Sequence, residues 1–168
     1  MIQFLQISVS LIFFANKVFV LMGKKTGWLL GVIAAILAIF YLYMLELYVF
    51  TALEFGLIAL MGYGFLVGTK KNLRIERLIH MIIFLVMAVF TYFAFNGMMT
   101  IYEFLGSAGL LLGTYFLTHD KRQLGWLLYC VAHLITAYLG YLKGQNFFAD
   151  FQIASAIISI AGILQVKK

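Results

Sequence analysis

Charged side chains are scarce in this sequence, since only 11% of its 168 residues are Asp, Glu, Lys or Arg. Hydrophobic residues make up 65%, whereas a soluble domain is roughly half apolar and about a quarter charged. This composition excludes a water-soluble domain, and with it a soluble enzyme. Cysteine is also scarce: Cys130, inside a predicted helix, is the single cysteine of the sequence. An intramolecular disulfide therefore cannot form.

Catalytic and metal-binding motifs are missing as well. The sequence contains no HExxH, no GxSxG elbow, no phosphate-binding glycine loop and no CxxC. We therefore predict that the protein is not an enzyme and has neither a metal site nor a cofactor. The net charge of +6 sits in short loops, where orientation in a membrane explains it better than a nucleic-acid partner does.

What the sequence does contain is a series of long apolar blocks. Each block is close to the roughly 20 residues that a helix needs to cross a bilayer, and none alternates with the period of a strand. We predict an all-α integral membrane protein, and we expect the first block to be a retained helix rather than a signal peptide. The seven predicted transmembrane helices are 3–22, 27–45, 47–68, 76–95, 99–118, 124–142 and 147–165.

The basic residues of the loops predict the orientation. Ten of them fall on one side of the membrane: Lys24, Lys25, Lys70, Lys71, Arg74, Arg77, Lys121, Arg122, Lys167 and Lys168. Lys143 alone falls on the other side. Because positive loops stay in the cytoplasm, the N-terminus is expected outside and the C-terminus inside. Lys17, in the first span, is expected to extend its side chain to the basic surface.

Two segments of the chain resemble each other at an offset of 98 residues. Gly27–Leu66 and Gly125–Gly162 both begin with GWLL, and Glu54 aligns with Gln152. We interpret the pair as parallel repeats joined by one connector helix, a 3+1+3 arrangement. The predicted units are a first three-helix repeat in 1–71, a connector helix in 72–97 and a second three-helix repeat in 98–168. The alignment also supports a turn at Glu46, opposite Gly144.

Polar residues within the spans are the candidates for function, because burying them in a membrane is costly. Trp126, Tyr129 and His133 share one helical face, and amides and hydroxyls follow on the last span. His133 either binds a ligand or bridges a neighbouring helix, Glu54 either binds or is a protonated structural carboxyl, and Trp126 either binds or anchors the interface. Glu103 is expected to be solvated. The predicted substrate-binding residues are Glu54, Trp126, Tyr129, His133, Gln152 and Ser155. Such a set suits a small neutral or cationic heteroaromatic solute.

Longer stretches add a family resemblance. The second half contains NGMMTIYEFLGSAGLLLGTYFLTHDKRQLGW, GWLLYCVAH and YLKGQNFFADFQIASAIISIAG, and the first half contains LELYVFTALEFGLIALMGYGFL. With the three-one-three plan and the basic cytoplasmic side, these stretches resemble the PnuC-type vitamin transporters, whose members carry nicotinamide riboside, thiamine or riboflavin. Trp126 matches the tryptophan that opens helix 6 in that family, and Gln152 is family-like. His133 stands where Asn or Asp is common, and Glu54 stands where Gln is common.

The resemblance implies a uniporter that works by alternating access in the cytoplasmic (inner) membrane, without a cofactor. It also implies a cytosolic kinase as functional partner, which traps the vitamin as its phosphate, and it is compatible with a homotrimer. The SWEET sugar transporters share the plan, but they usually carry prolines in their bundle helices and this chain has none. The remaining alternatives are a sugar or other small-solute transporter, and a non-transporting membrane interaction or assembly protein.

Overall fold

The computed structural model describes residues 2–67, 72–95, 97–118 and 121–165. These residues form seven α-helices and no strand, so the predicted all-α class and helix count are confirmed. The helices are α1 (Ile2–Leu21), α2 (Thr26–Met44), α3 (Tyr48–Val67), α4 (Leu73–Phe93), α5 (Met98–Thr118), α6 (Arg122–Leu142) and α7 (Asn146–Gln165). Lys70, Lys71, Lys167 and Lys168, on which part of the predicted orientation depends, lie outside the described residues.

Among the residues that the structure describes, five helices are long and apolar enough to cross a membrane, namely α1, α2, α4, α6 and α7. The chain is thus a multi-pass membrane protein by length and composition. Helix α5 is not in that set because it carries a series of buried polar side chains: Thr100, Glu103, Ser107 and Thr114. Helix α4 is the opposite case, with large apolar side chains such as Leu85 and Phe93 exposed on its outer surface.

The tight turns between helices close in the same way in both halves. Glu46 has a φ of 59°. Where α2 ends, the backbone N–H of Leu45 donates to the Leu42 carbonyl at 3.1 Å, and the N–H of Glu46 donates to the Tyr43 carbonyl at 3.0 Å. Gly144, 98 residues later, has a φ of 68°, and its N–H donates to the carbonyl of Tyr141 at 3.0 Å, the same spacing as Glu46 to Tyr43. Left-handed residues of this kind commonly end helices. The predicted turn at Glu46 is confirmed.

Six of the helices form a closed ring. Consecutive helices pack together in α1–α3 and in α5–α7, and the two sets meet through contacts of α1 with α7 and of α3 with α5. The two sets are equivalent in their contacts: if α1, α2 and α3 are renamed α5, α6 and α7 and the reverse, the same pairs of helices are in contact. Helix α4 packs against α3 and α5 from outside the ring.

Candidate functional site

A cavity of about 50 Å³ lies inside the ring, between the two sets of three helices. Its wall combines aliphatic and aromatic side chains with polar ones from both sets. The polar lining residues are Asn16, Lys17, Glu54, Thr114, Tyr129, His133, Thr136, Gln152 and Ser155. Because one water needs roughly 10–15 Å³ of such space, the cavity has room for only about four waters.

Residues 98 positions apart meet at this cavity. Both members of five aligned pairs line it: Asn16 and Thr114, Ala38 and Thr136, Phe50 and Phe148, Glu54 and Gln152, and Leu57 and Ser155. In three of these pairs a polar side chain of the second set stands opposite an apolar or differently charged one of the first. The cavity therefore has matching positions on its two sides but different chemistry at them.

His133 and Gln152 form a buried hydrogen bond between α6 and α7. His133 Nδ1 lies 2.7 Å from Gln152 Oε1, and both side chains are buried. With the amide oxygen facing the ring, Nδ1 carries the proton and donates it, so Nε2 is an acceptor. Nε2 has no hydrogen-bond partner among the described residues. His133 thus bridges two helices and lines the cavity, and its Nε2 is buried without a partner among the described residues.

Tyr129 is held by a short hydrogen-bonded chain. The Thr114 hydroxyl donates to the Leu110 carbonyl at 2.9 Å, and it lies 2.8 Å from the Tyr129 hydroxyl. Since the one proton of Thr114 is already committed, Tyr129 donates to Thr114. The Tyr129 ring also contacts the rings of Trp126 and His133, each with 5.8 Å between centroids. The predicted common face of these three residues is confirmed.

The predicted position of the Lys17 side chain, at the basic membrane surface, was wrong. Only 8% of the residue is exposed, and Nζ lies 3.7 Å from the centroid of the Tyr129 ring, so Lys17 points into the cavity rather than to the membrane surface. The face of α1 that carries Lys17 also carries Asn16, whose Nδ2 donates to the Gly27 carbonyl at 2.8 Å. An Asn–Lys pair inside a predicted membrane span was the available signal, because such residues usually face a protein interior.

Glu54 lies on α3 and faces the same space. It is 4% exposed, and its Oε2 has no hydrogen-bond partner among the described residues. Glu54 and Lys17 line the same cavity, from α3 and α1 respectively. A buried carboxylate oxygen without a donor is costly, and a ligand or water that donated a hydrogen bond to it would offset this cost.

Trp126 and Ser155 complete the predicted set in different ways. Ser155 lines the cavity, and its hydroxyl donates to the Phe151 carbonyl at 2.9 Å. Trp126 is buried but does not line the cavity. Its indole packs against Gly162, where an added Cβ would collide with the ring. Five of the six predicted residues therefore meet at one cavity, and Trp126 supports that group through its contact with Tyr129.

Glu103 was predicted to be solvated, and this prediction was wrong. Glu103 is 5% exposed, and its Oε2 accepts a 3.0 Å hydrogen bond from the backbone N–H of Val49 in the first turn of α3. The first N–H groups of a helix have no partner within that helix, so a carboxylate from α5 stabilises this end. No pattern in the sequence indicated that α5 faces the start of α3.

Comparison of the chain with protein-family models, curated proteins and solved structures finds no match. The class is therefore defined by the molecule itself. Over the residues that the structure describes, it is an all-helical, multi-pass protein with a small cavity, lined by apolar and polar side chains, between two sets of three helices.

Proposed function

We propose that this protein is a membrane transporter that carries a small vitamin or nucleoside-like solute by facilitated diffusion and alternating access. One observation carries the proposal: five predicted binding residues from α3, α6 and α7 converge on a cavity enclosed by both sets of helices. In this proposal all seven helices span the bilayer as a 3+1+3 pair of parallel repeats, with α4 as the connector.

The same convergence weighs against a protein that only binds partners in the membrane. Such a protein has no need to bury Glu54 Oε2 and His133 Nε2 without hydrogen-bond partners. Each unsatisfied buried polar atom costs on the order of 1–3 kcal/mol. A solute or water that repeatedly occupies the cavity gives these atoms a function that offsets the cost.

The size of the cavity sets a condition on the mechanism. Sites for ligands of vitamin size measure roughly 300–1,000 Å³, far more than the 50 Å³ enclosed here. Solute entry therefore requires the two sets of helices to separate. The two sets would separate at the contacts of α1 with α7 and of α3 with α5.

The resemblance to the PnuC-type transporters supports the solute class, and the basic loops support the orientation. Lys24, Lys25, Arg74 and Arg77, together with Lys121 and Arg122, would lie in the cytoplasm, and Lys143 would lie outside. Solute would equilibrate across the membrane, and a cytosolic kinase would trap it as a phosphate. Glu54 and His133 depart from the residues common in that family, so nicotinamide riboside is one member of the solute class to test and not a fixed assignment.

Ligand binding by the purified protein tests the proposal. Thermal-shift and calorimetric titrations would use nicotinamide riboside, thiamine, riboflavin, nucleosides and simple sugars. A true ligand at 100 times its Kd stabilises the folded state by about 2.7 kcal/mol. We expect one solute of the vitamin or nucleoside class to bind the wild type and to bind His133→Ala far more weakly.

Tyr92→Ala is the matched control, because Tyr92 is 79% exposed on α4 and far from the cavity lining. This variant should bind as the wild type does. If a sugar were the only ligand in the panel, the proposed solute class would be wrong and the proposal of a transporter would remain. Folded protein that binds nothing in the panel would contradict the proposal.

A further inference from the structure

Two charged residues, Lys17 on α1 and Glu54 on α3, line the cavity from the same set of three helices. Lys17 extends from α1 and rests its ammonium over the Tyr129 ring at 3.7 Å, and Glu54 extends from α3 with one buried oxygen lacking a donor. Both are nine-tenths buried or more. The other polar residues of the described lining are amides, hydroxyls and His133.

We propose that Lys17 and Glu54 make the cavity electrically balanced, so that it selects a solute of no net charge with an acceptor for Lys17 and a donor for Glu54. The inference rests on the proposed function and specifies the solute within it. The sequence alone placed Lys17 at the membrane surface and left Glu54 as the one charge of the site. That arrangement would favour a cation, whereas the observed one does not.

When Lys17 and Glu54 share one proton, the balance does not depend on which of the two groups holds it. If Lys17 keeps its proton, the cavity holds one positive and one negative charge. If the proton moves from Nζ to the Glu54 carboxylate, both groups are neutral and the sum is again zero. His133 adds no charge in the tautomer that donates from Nδ1 to Gln152. A solute with a net charge therefore enters without a counter-charge, in surroundings of low dielectric constant.

The unused hydrogen-bonding atoms define the polarity of the solute. Lys17 offers N–H donors, whereas Glu54 Oε2 and His133 Nε2 offer acceptors. A neutral or zwitterionic ring compound with an anionic or carbonyl group at one end and a donor or cationic group at the other satisfies all three. Phe50 and Phe148, aligned between the two halves, supply apolar contacts for such a ring.

Four pyridine compounds of nearly equal size test charge selection directly. Nicotinamide is neutral, N-methylnicotinate is a zwitterion, N-methylnicotinamide is a cation and nicotinate is an anion. Calorimetric binding of each would be measured on the wild type, Lys17→Met, Glu54→Gln and the double variant. Lys24→Met and Glu46→Gln make the same chemical changes at exposed positions and serve as matched controls.

We expect the wild type and both controls to bind the two net-neutral compounds at least about tenfold more tightly than the two ions, since one unbalanced charge at effective dielectric of about 20 changes affinity by this order or more. Lys17→Met should shift the preference to the cation and Glu54→Gln should shift it to the anion. The double variant should recover the preference for neutral nicotinamide and lose the zwitterion. Tightest wild-type binding of either ion, an order of affinities unchanged in both single variants, or no binding of any of the four to folded protein would overturn the proposal.

A thermal-unfolding cycle on the same variants gives a second readout that needs no ligand. Each single change leaves one buried group without its counterpart, and removing one partner of such a pair is more damaging than removing both. We expect both single variants to unfold at lower temperature than the double variant. A double variant whose loss equals the sum of the two single losses would mean that Lys17 and Glu54 are uncoupled, which would overturn the proposal.

Failure of charge selection and failure of transport are distinguishable. Flux of the wider vitamin and nucleoside panel into proteoliposomes, combined with binding that ignores charge, would overturn the charge-balanced site alone. Charge-ordered binding without flux of any solute would overturn transport and leave the charge-balanced site standing.

Discussion

The hydrogen bond from the Val49 N–H to Glu103 predicts a measurable loss of stability when the carboxylate is removed. Glu103 lies on α5 and accepts this bond at 3.0 Å from the first turn of α3, in a site that is 5% exposed. In Glu103→Ala the amide stays buried but loses its acceptor. In Glu103→Gln the side chain keeps its length and an amide oxygen that can accept the same bond.

The size of the effect follows from the kind of bond. A hydrogen bond to a charged group contributes about 1.5–3 kcal/mol, and loss of a helix N-terminal acceptor costs about 0.5–2 kcal/mol. We therefore expect Glu103→Ala to lower the free energy of unfolding by about 2 kcal/mol. For a chain of this size, each kcal/mol shifts Tm by roughly 2–4 °C, so the expected drop is about 4–8 °C. Glu103→Gln should lose less than half of that.

Thermal unfolding in detergent, followed by helical circular dichroism, measures both variants. Asp150→Ala is the control, because it removes a carboxylate whose hydrogen bond, from the Tyr141 hydroxyl, lies at an exposed position. A Tm for Glu103→Ala that matches the wild type would refute the reasoning and would mean that water already solvates both groups. Equal losses in the Ala and Gln variants would show that the acceptor at Val49 is not what Glu103 contributes.

Two further predictions address packing and orientation. Gly162→Ala should lower the free energy of unfolding by about 1–3 kcal/mol, because the added Cβ would collide with the Trp126 indole. Gly62→Ala is the control: an added Cβ there has nothing within 4 Å, so the change should be neutral or stabilising by up to about 1 kcal/mol. Equal Tm values for the two variants would contradict the close packing of Gly162 against Trp126. In a background without native cysteine, a membrane-impermeant maleimide should label Lys143→Cys in intact cells but label Lys24→Cys only after permeabilisation. The reverse pattern would show that the proposed orientation is wrong.

The helices were predictable because long apolar blocks identify membrane-length helices almost without regard to tertiary contacts. The turn at Glu46 has little local signal, and it was found because the aligned position is Gly144, which suits a left-handed backbone. His133 and Tyr129 were placed correctly on one face because helical spacing fixes the relative direction of side chains on the same helix.

The sequence failed where the outcome depends on how one helix faces another. Lys17 lies near the end of α1, and its position along the helix is compatible both with reaching the surface and with facing the interior. Glu103 was predicted to be solvated because it lies close to the outer membrane interface. Its hydrogen-bond partner, Val49, lies on a different helix, and no local sequence pattern shows that this helix packs against Glu103. Trp126 shares a face with Tyr129, but Gly162 on α7 leaves space for its indole outside the cavity. Each of these outcomes is set by contacts between helices.

Flux through the central cavity is the most direct test of transport. Proteoliposomes would be loaded with the solute identified by binding, and its saturable equilibration would be followed without an ion gradient. Ala38→Phe places a ring in the cavity lining, and Ile36→Phe places the same ring on the exposed side of α2 as a control. We predict equilibrating flux in the wild type and in Ile36→Phe, and no flux in folded Ala38→Phe. Equal flux in all three proteins would contradict passage of the solute through this cavity.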